Sequence, residues 1–255
     1  MPSTPSNSKP LVLTTGATGH LGFRTSILAP QAGYQARVAI HITASSASDA
    51  AIKGVKYASP VASPIPTKPE HQNGNWRSLY YEPAINGTAS LRSAAAKTSS
   101  VEAVVITSSV AVLRWHVDIA GPEDIQPNSS ISDAYKAENF EQASGVSKIL
   151  AYHAANNFVE SQKPHFKTEF VLPRGIQGPN DSLRQGREFF SGSAEGTINA
   201  ITGDLAAFAK PASQVWLDDA ARAHIVALQN EKVHDGDTLI VDGRSEDAEK
   251  GSSVH

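Results

Sequence analysis

The stretch Leu11-Val12-Leu13-Thr14-Thr15-Gly16-Ala17-Thr18-Gly19-His20-Leu21-Gly22 constrains this chain more than any other part of it. Leu11-Val12-Leu13 is a short apolar, β-rich run and the residues from His20 onward read as a helix, so the glycines fall between a strand and a helix. Their spacing of three and three has a physical use at such a junction. The first glycine permits a tight turn, and the second lets backbone come close to a pyrophosphate. The third lets helix pack against strand, while the helix N–H groups face the phosphates. A glycine triplet alone says little; the flanking strand and helix make a dinucleotide the expected ligand. The residues expected to touch it here are Gly16, Thr18, Gly19, His20, Leu21 and Gly22.

The rest of the chain repeats the alternation. Residues 1–10 read as a polar, proline-rich, disordered tail. Further strands are expected at 36–40, 103–107, 167–172 and 238–241, and helices at 48–55, 83–97, 141–162 and about 218–229. Pro30 is expected to end the first helix early, because an interior proline removes a hydrogen bond and clashes with the preceding turn, costing about 3 kcal/mol or more. Strands alternating with helices predict an α/β fold, a Rossmann-type doubly wound parallel sheet over residues 11–180, with function at the carboxyl ends of its strands. Residues 181–255 are expected to form a small, truncated C-terminal substrate-binding appendage that contributes one late sheet strand.

Composition narrows the function classes. At about 150 residues per domain, 255 residues are long enough for one shared core plus an appendage. A formal charge of −3 shows no basic surplus for nucleic acid. Cysteine is absent, which removes disulfides and thiolate chemistry and fits a reducing compartment. The start lacks the apolar core of a signal peptide, and no run approaches the roughly 18 apolar residues of a membrane span. A cytoplasmic protein with no membrane and no nucleic-acid partner is therefore expected. The nine histidines show no ligand spacing, so no metal is expected. No Gly-x-Ser-x-Gly elbow surrounds Ser108, Ser109 or Ser147, which disfavours a serine hydrolase.

The end of the second strand bears on the cofactor. An acid there would read the ribose hydroxyls of NAD, whereas this sequence offers Arg37 and His41 and no acid before Asp49. NADP is therefore preferred, with NAD left open. Asp218, Asp219 and His224 are not read as a metal or acid-base site, because aspartate at a helix start is an N-cap and dipole partner.

Several motifs then fall in a telling order. They are Thr15 to Gly22, Ala62-Ser63-Pro64, Pro83-Ala84-Ile85-Asn86-Gly87-Thr88 and Val105-Ile106-Thr107-Ser108-Ser109, followed by Val146-Ser147-Lys148, Val171-Leu172-Pro173 with Gly178-Pro179, and Trp216-Leu217-Asp218-Asp219-Ala220-Ala221-Arg222-Ala223-His224. From Leu11 to Gly243 the chain resembles the extended short-chain dehydrogenase/reductases of the NAD-dependent epimerase/dehydratase superfamily, in particular a fungal aldehyde reductase and dihydroflavonol reductase-like branch. The resemblance implies reduction of an aldehyde or ketone by NAD(P)H, with a small carbonyl compound as substrate. It implies Ser109 as the hydroxyl that polarises the carbonyl oxygen. Lys148 becomes the cation that holds the nicotinamide ribose and acidifies a tyrosine. Ala62, Pro173 and Ile176 become cofactor-lining residues, and Asn86 is given a structural role.

The same resemblance exposes departures. The tyrosine should stand four residues before Lys148, and Ser144 stands there instead. A phenol of pKa about 10 is within reach of a neighbouring ammonium, whereas an unactivated serine is far less acidic, and losing a general acid costs about 10² to 10⁴ in rate. Tyr152 and Tyr135 are the nearest substitutes, Tyr152 being better read as packing. One helix-strand unit is expected to be missing near residues 41–48, and the chain stops soon after Gly243, where relatives continue into helices of the substrate pocket. The alternative reading is a non-catalytic dinucleotide-binding protein or redox-sensing regulator like the NmrA-like proteins.

Overall fold

A computed structural model describes residues 8–40, 45–64, 74–113, 124–125, 137–181, 214–228 and 231–243. Strand β1 (Leu11–Thr15) leads into helix α1 (His20–Gln31), β2 (Gln35–Ala39), α2 (Ser45–Ala51) and β3 (Tyr57–Pro60). A π-helical turn (Arg77–Tyr81) runs into α3 (Glu82–Ala96), then β4 (Ala103–Thr107), a 3-10 turn (Val110–Val112) and α4 (Phe140–Gln162). Strands β5 (Lys167–Pro173), β6 (Gly175–Gln177) and β7 (Gln214–Trp216), helix α5 (Leu217–Ala227) and strand β8 (Thr238–Val241) complete the described elements.

Six strands form one sheet in the order β2-β1-β3-β4-β5-β8, every pair parallel, and β6 and β7 form a small second sheet. Successive side chains of a strand point to opposite faces, and the apolar residues divide accordingly. Leu13, Val104, Ile106, Phe170 and Leu172 face α2, α3 and α4, meeting Ile52, Leu91, Ile149 and Ala155. Val12, Val105 and Val171 face α1 and α5, meeting Ala29 and Ala227. The sheet is thus covered on both sides, the arrangement parallel strands require. Strand β8 and helix α5, from the C-terminal part of the chain, belong to this core.

The usual doubly wound order 3-2-1-4-5-6 carries a further strand outside the second one. Here β2 is the edge among the described residues, and the five residues 40–44 that separate it from α2 leave no room for another helix-strand unit at that point. Val38 and Ile40 are about half exposed as a result. Pro30 lies inside α1 and the helix ends one residue later, so the proline occupies the last turn. The Ala32 N–H closes that turn on the carbonyls of Leu28 and Ala29. Helix α4 is the longest described element and the one that positions the site. Asn139 caps it by accepting from the Gln142 N–H at 3.0 Å, while the Gln142 side chain accepts from the Glu138 N–H at 2.9 Å, a reciprocal cap.

Candidate functional site

The site lies at the carboxyl ends of β1, β3 and β4, where α1 begins. Gly16 adopts φ +68, which L side chains rarely do, and a Cβ on it would lie 2.7 Å from the Ala62 Cα. A Cβ on Gly22 would lie 2.3 Å from the Gly16 carbonyl oxygen. The turn is tied internally by the Gly19 N–H donating to the Gly16 carbonyl at 2.9 Å, and to β3 by the Ala62 N–H donating to Thr15 Oγ1 at 3.1 Å. Gly19 differs from the other two. It is the N-cap of α1 in an extended conformation, and a Cβ there meets only the Gly16 oxygen at 3.4 Å. Its outer side is the open one.

Helix α1 has no side-chain cap and no acid in its first turn. The first N–H groups of a helix have no intrahelical partner and carry its positive dipole end. With the Gly19 N–H used by the Gly16 carbonyl, His20, Leu21 and Gly22 present the uncapped anion-binding terminus, and the three glycines fit a pyrophosphate cradle. Leu21 turns its side chain into the apolar cluster of Leu28 and Val215 and offers backbone only. Thr18 is exposed at the tip of the turn. The His20 ring meets the Gly178 carbonyl at 3.2 Å, fastening the start of α1 to the loop after β6.

On the other side of the crevice stands Lys148. It lines the cavity with Ala62, Thr88, Thr107, Ser108 and Tyr152, and its Nζ donates to the Thr107 carbonyl at 3.3 Å. Burial lowers its pKa to about 8. Ser109 caps the 3-10 turn, its Oγ accepting from the Ala111 N–H at 3.1 Å. Ser108 was not foreseen as a site residue. Its hydroxyl is buried, lines the crevice, and has no hydrogen-bond partner among the described residues. Ser144 lies one helical turn before Lys148 on α4, where Cβ directions bring residues four apart to one face, and its carbonyl accepts from Ser147 Oγ at 2.7 Å.

Other expected residues fall elsewhere. Arg37 does not stand at the strand end. It is mid-strand in β2, in register with Leu13, and its guanidinium donates to the carbonyls of Ala51 and Lys53 at 2.8 and 2.6 Å. At about 3.3 Å per residue it is set back from the carboxyl edge, and it closes the C-terminal end of α2 instead. Ile176 packs its side chain into the cluster of Val215, Leu217 and Ala221, and Pro173 ends β5 in register with Val241, neither lining the crevice of Lys148. Tyr152 is a packing residue: its ring lies 4.5 Å from Phe170 and its hydroxyl meets Thr238 Oγ1 at 3.5 Å. Asn86 is exposed on α3. His41 and Tyr135 lie outside the described residues.

The capping assignment for Asp218 is corrected. The N-cap of α5 is Trp216, and Asp218 forms a two-pronged ion pair with Arg24 of α1 at 2.6 and 2.7 Å, whose guanidinium holds the carboxyl below its ordinary range. His224, in the last turn of α5, is fully buried. Its ring meets the Ala220 carbonyl and the Thr107 hydroxyl, each at 2.7 Å. Among the described residues no cluster of three His, Asp or Glu side chains is placed to hold a metal, and no helix is long and apolar enough to cross a membrane.

The parallel sheet with an uncapped glycine turn at its carboxyl edge defines a Rossmann-type α/β fold. No protein-family model matches the chain. It is 27% identical to the NAD-dependent epimerase/dehydratase ALT6 of Alternaria alternata, covering 89% of this chain and 74% of that protein. It is 28% identical to the ketoreductase sphI of Aspergillus fumigatus, covering 86% and 75%. Among solved structures, yeast methylglyoxal/isovaleraldehyde reductase Gre2 complexed with NADPH superposes with a TM-score of 0.73 at 21% identity, covering 91% of this chain and 78% of that one. The chain is similar to these proteins of the extended short-chain dehydrogenase/reductases, the NAD-dependent epimerase/dehydratase superfamily.

Proposed function

We propose that the protein binds NADPH in the crevice between the α1 terminus and Lys148, and reduces an aldehyde or ketone slowly for want of the family tyrosine. The observation that carries this reading is the placement of Lys148. Its side chain lines a crevice with Ala62, and Ala62 in turn packs against Gly16 at the start of the turn. The backbone at Gly16, Thr18, Gly19, His20, Leu21 and Gly22 would hold the pyrophosphate, Ala62 would line the pocket, and Lys148 would donate to the nicotinamide ribose. Bound there, the dinucleotide supplies a hydride. NADP is favoured over NAD because no acid stands at the end of β2, and because two of the similar solved reductases are NADPH complexes.

The chain's own contribution is orientation and charge. Ser109 Oγ takes up the Ala111 N–H, which leaves its own proton to donate to a carbonyl oxygen as negative charge develops there. Lys148 keeps positive charge beside that oxygen and, with no phenol at position 144, the alkoxide formed by hydride addition takes its proton from water, which is why turnover is slow. A second reading, a dinucleotide-binding protein without turnover, is favoured by Ser144 alone.

The test is a fluorescence titration with NADPH and a rate assay on a panel of aldehydes and ketones, run on the wild type and on Ser144→Tyr. Turnover by the wild type supports the reductase. Tight binding with no turnover in either protein favours the second reading, and failure to bind any nicotinamide dinucleotide overturns both.

A further inference from the structure

A fully buried imidazole has to be explained, since burying a polar ring costs stability unless both nitrogens are paired. In His224 they are. The ring is kept neutral by burial and by the Lys148 charge, its pKa lowered to about 4, so only one nitrogen carries hydrogen. Nδ1 lies 2.7 Å from the Ala220 carbonyl, which can only accept, and so it is Nδ1 that donates. Nε2 is then an acceptor, and the Thr107 hydroxyl donates to it at 2.7 Å. Thr107 is the last residue of β4, and its carbonyl is the group that receives Lys148 Nζ at 3.3 Å. One residue therefore connects two faces of the sheet. Its side chain is held from the α5 side and its carbonyl is used on the α4 side, 117 residues away in sequence from the histidine that holds it. The next residue, Ser108, lines the crevice from the same anchored strand end, and Ser109 caps the 3-10 turn that follows.

We propose that His224 is a positioning residue: by accepting from the Thr107 hydroxyl it fixes the end of β4, so that the Thr107 carbonyl holds the Lys148 ammonium in the crevice. An apolar residue at 224 would fill the same core without giving Thr107 a partner. This goes beyond the reductase reading, because the linkage sets Lys148 whether or not a carbonyl substrate is turned over.

The test compares Thr107→Val, His224→Asn and His224→Gln with the wild type in the full chain. Thr107→Val removes the hydroxyl at nearly constant volume. His224→Asn keeps a donor for the Ala220 carbonyl but cannot reach Thr107, and His224→Gln places an acceptor near the position of Nε2. Lys148 is acylated in the protein without nucleotide at one pH, and its rate is read by peptide mass spectrometry with Lys167 as internal reference. Loss of one hydrogen bond in the chain of contacts is expected to raise Lys148 labelling about fivefold in Thr107→Val and His224→Asn, and to leave His224→Gln within about twofold of the wild type. NADPH affinity is expected to fall in the same two variants. A labelling rate in Thr107→Val within about twofold of the wild type, whatever the change in melting temperature, overturns the proposal and leaves His224 a packing residue. Should His224→Asn fail to fold, Thr107→Val decides. Should the wild type bind no dinucleotide, the labelling result still stands and only the reductase reading falls.

Discussion

The middle glycine of the turn offers the sharpest separation of folding from binding. Gly19 has φ −95 and ψ 169, a conformation open to alanine, and its added Cβ would meet nothing closer than the Gly16 oxygen at 3.4 Å. Gly19→Ala is therefore expected to fold about as well as the wild type, the gain of about 0.4 to 1 kcal/mol from restricting the unfolded chain being offset by the poorer N-cap that alanine makes. The methyl group would project from the open side of the turn, where a pyrophosphate must approach to hydrogen-bond distance. NADPH affinity is expected to fall at least about tenfold, or about 1.4 kcal/mol. Gly22→Ala is the contrasting case. Its Cβ would sit 2.3 Å from the Gly16 oxygen and 2.7 Å from the Gly16 carbonyl carbon, so helix and turn must separate by about an ångström. Overpacking of this kind costs about 1 to 3 kcal/mol, and each kcal/mol lowers the melting temperature by about 2 to 4 °C in a chain of this size. The assays are a thermal melt and an NADPH fluorescence titration on both variants. Wild-type affinity in Gly19→Ala would refute the cradle, and an unchanged melt in Gly22→Ala would refute the packing.

Three further outcomes are expected. Lys148→Met should weaken NADPH binding while stabilising the fold at neutral pH. The folded pKa of about 8 lies below the ordinary 10.5, so the cation opposes folding at pH 7 by on the order of 1 kcal/mol or more, and wild-type stability should rise between pH 8 and 10.5 where the variant's does not. Urea titrations at several pH values check this. His224 gives the acid counterpart. With its pKa at about 4 instead of 6.5, stability is fully present above pH 6.5 and about 3 kcal/mol is lost as pH falls towards 4. His224→Gln should flatten that slope, and an unchanged slope would mean another group is responsible. Arg37→Met should leave NADPH affinity within about twofold, since its guanidinium serves the Ala51 and Lys53 carbonyls, and should cost about 1 kcal/mol of stability in the same urea titrations.

What the sequence made legible was whatever it wrote in local pattern. The β1-turn-α1 unit, β4, α4, β5 and β8 appear where apolar runs and helical spacing place them, and β4 and β8 match residue for residue. Strand β3 was not legible. Tyr57-Ala58-Ser59-Pro60 has weak strand propensity, and it is a strand because β1 and β4 flank it and bury all four residues. The height of Arg37 along β2 was not legible, because residue type says nothing of position along a strand, and a shift of two residues moves a side chain by about 6.6 Å. The link from His224 to Thr107 spans elements far apart in sequence and left no local signal. The signal that did exist was the position of Thr107 at a strand's carboxyl end, where parallel sheets place their sites.

Binding and proton transfer are physically separable in this molecule. The cradle is made of backbone, through the conformation of Gly16 and the close packing of Gly22, and depends on no reactive side chain. The acid of the family mechanism is one side chain at one position of a helix that is capped at Asn139 and holds Lys148 against Thr107 with Ser144 in place. Exchanging phenol for serine at residue 144 removes about 10² to 10⁴ in rate, which is about 3 to 5 kcal/mol of transition-state stabilisation at 1.36 kcal/mol per tenfold. The loss falls on the step that moves the proton, and none of it falls on the turn proposed to hold the pyrophosphate. On the proposed reading, the expected outcome is nucleotide binding with a depressed kcat. A dissociation constant and a rate then measure different parts of the structure, and Ser144→Tyr should move the second without the first.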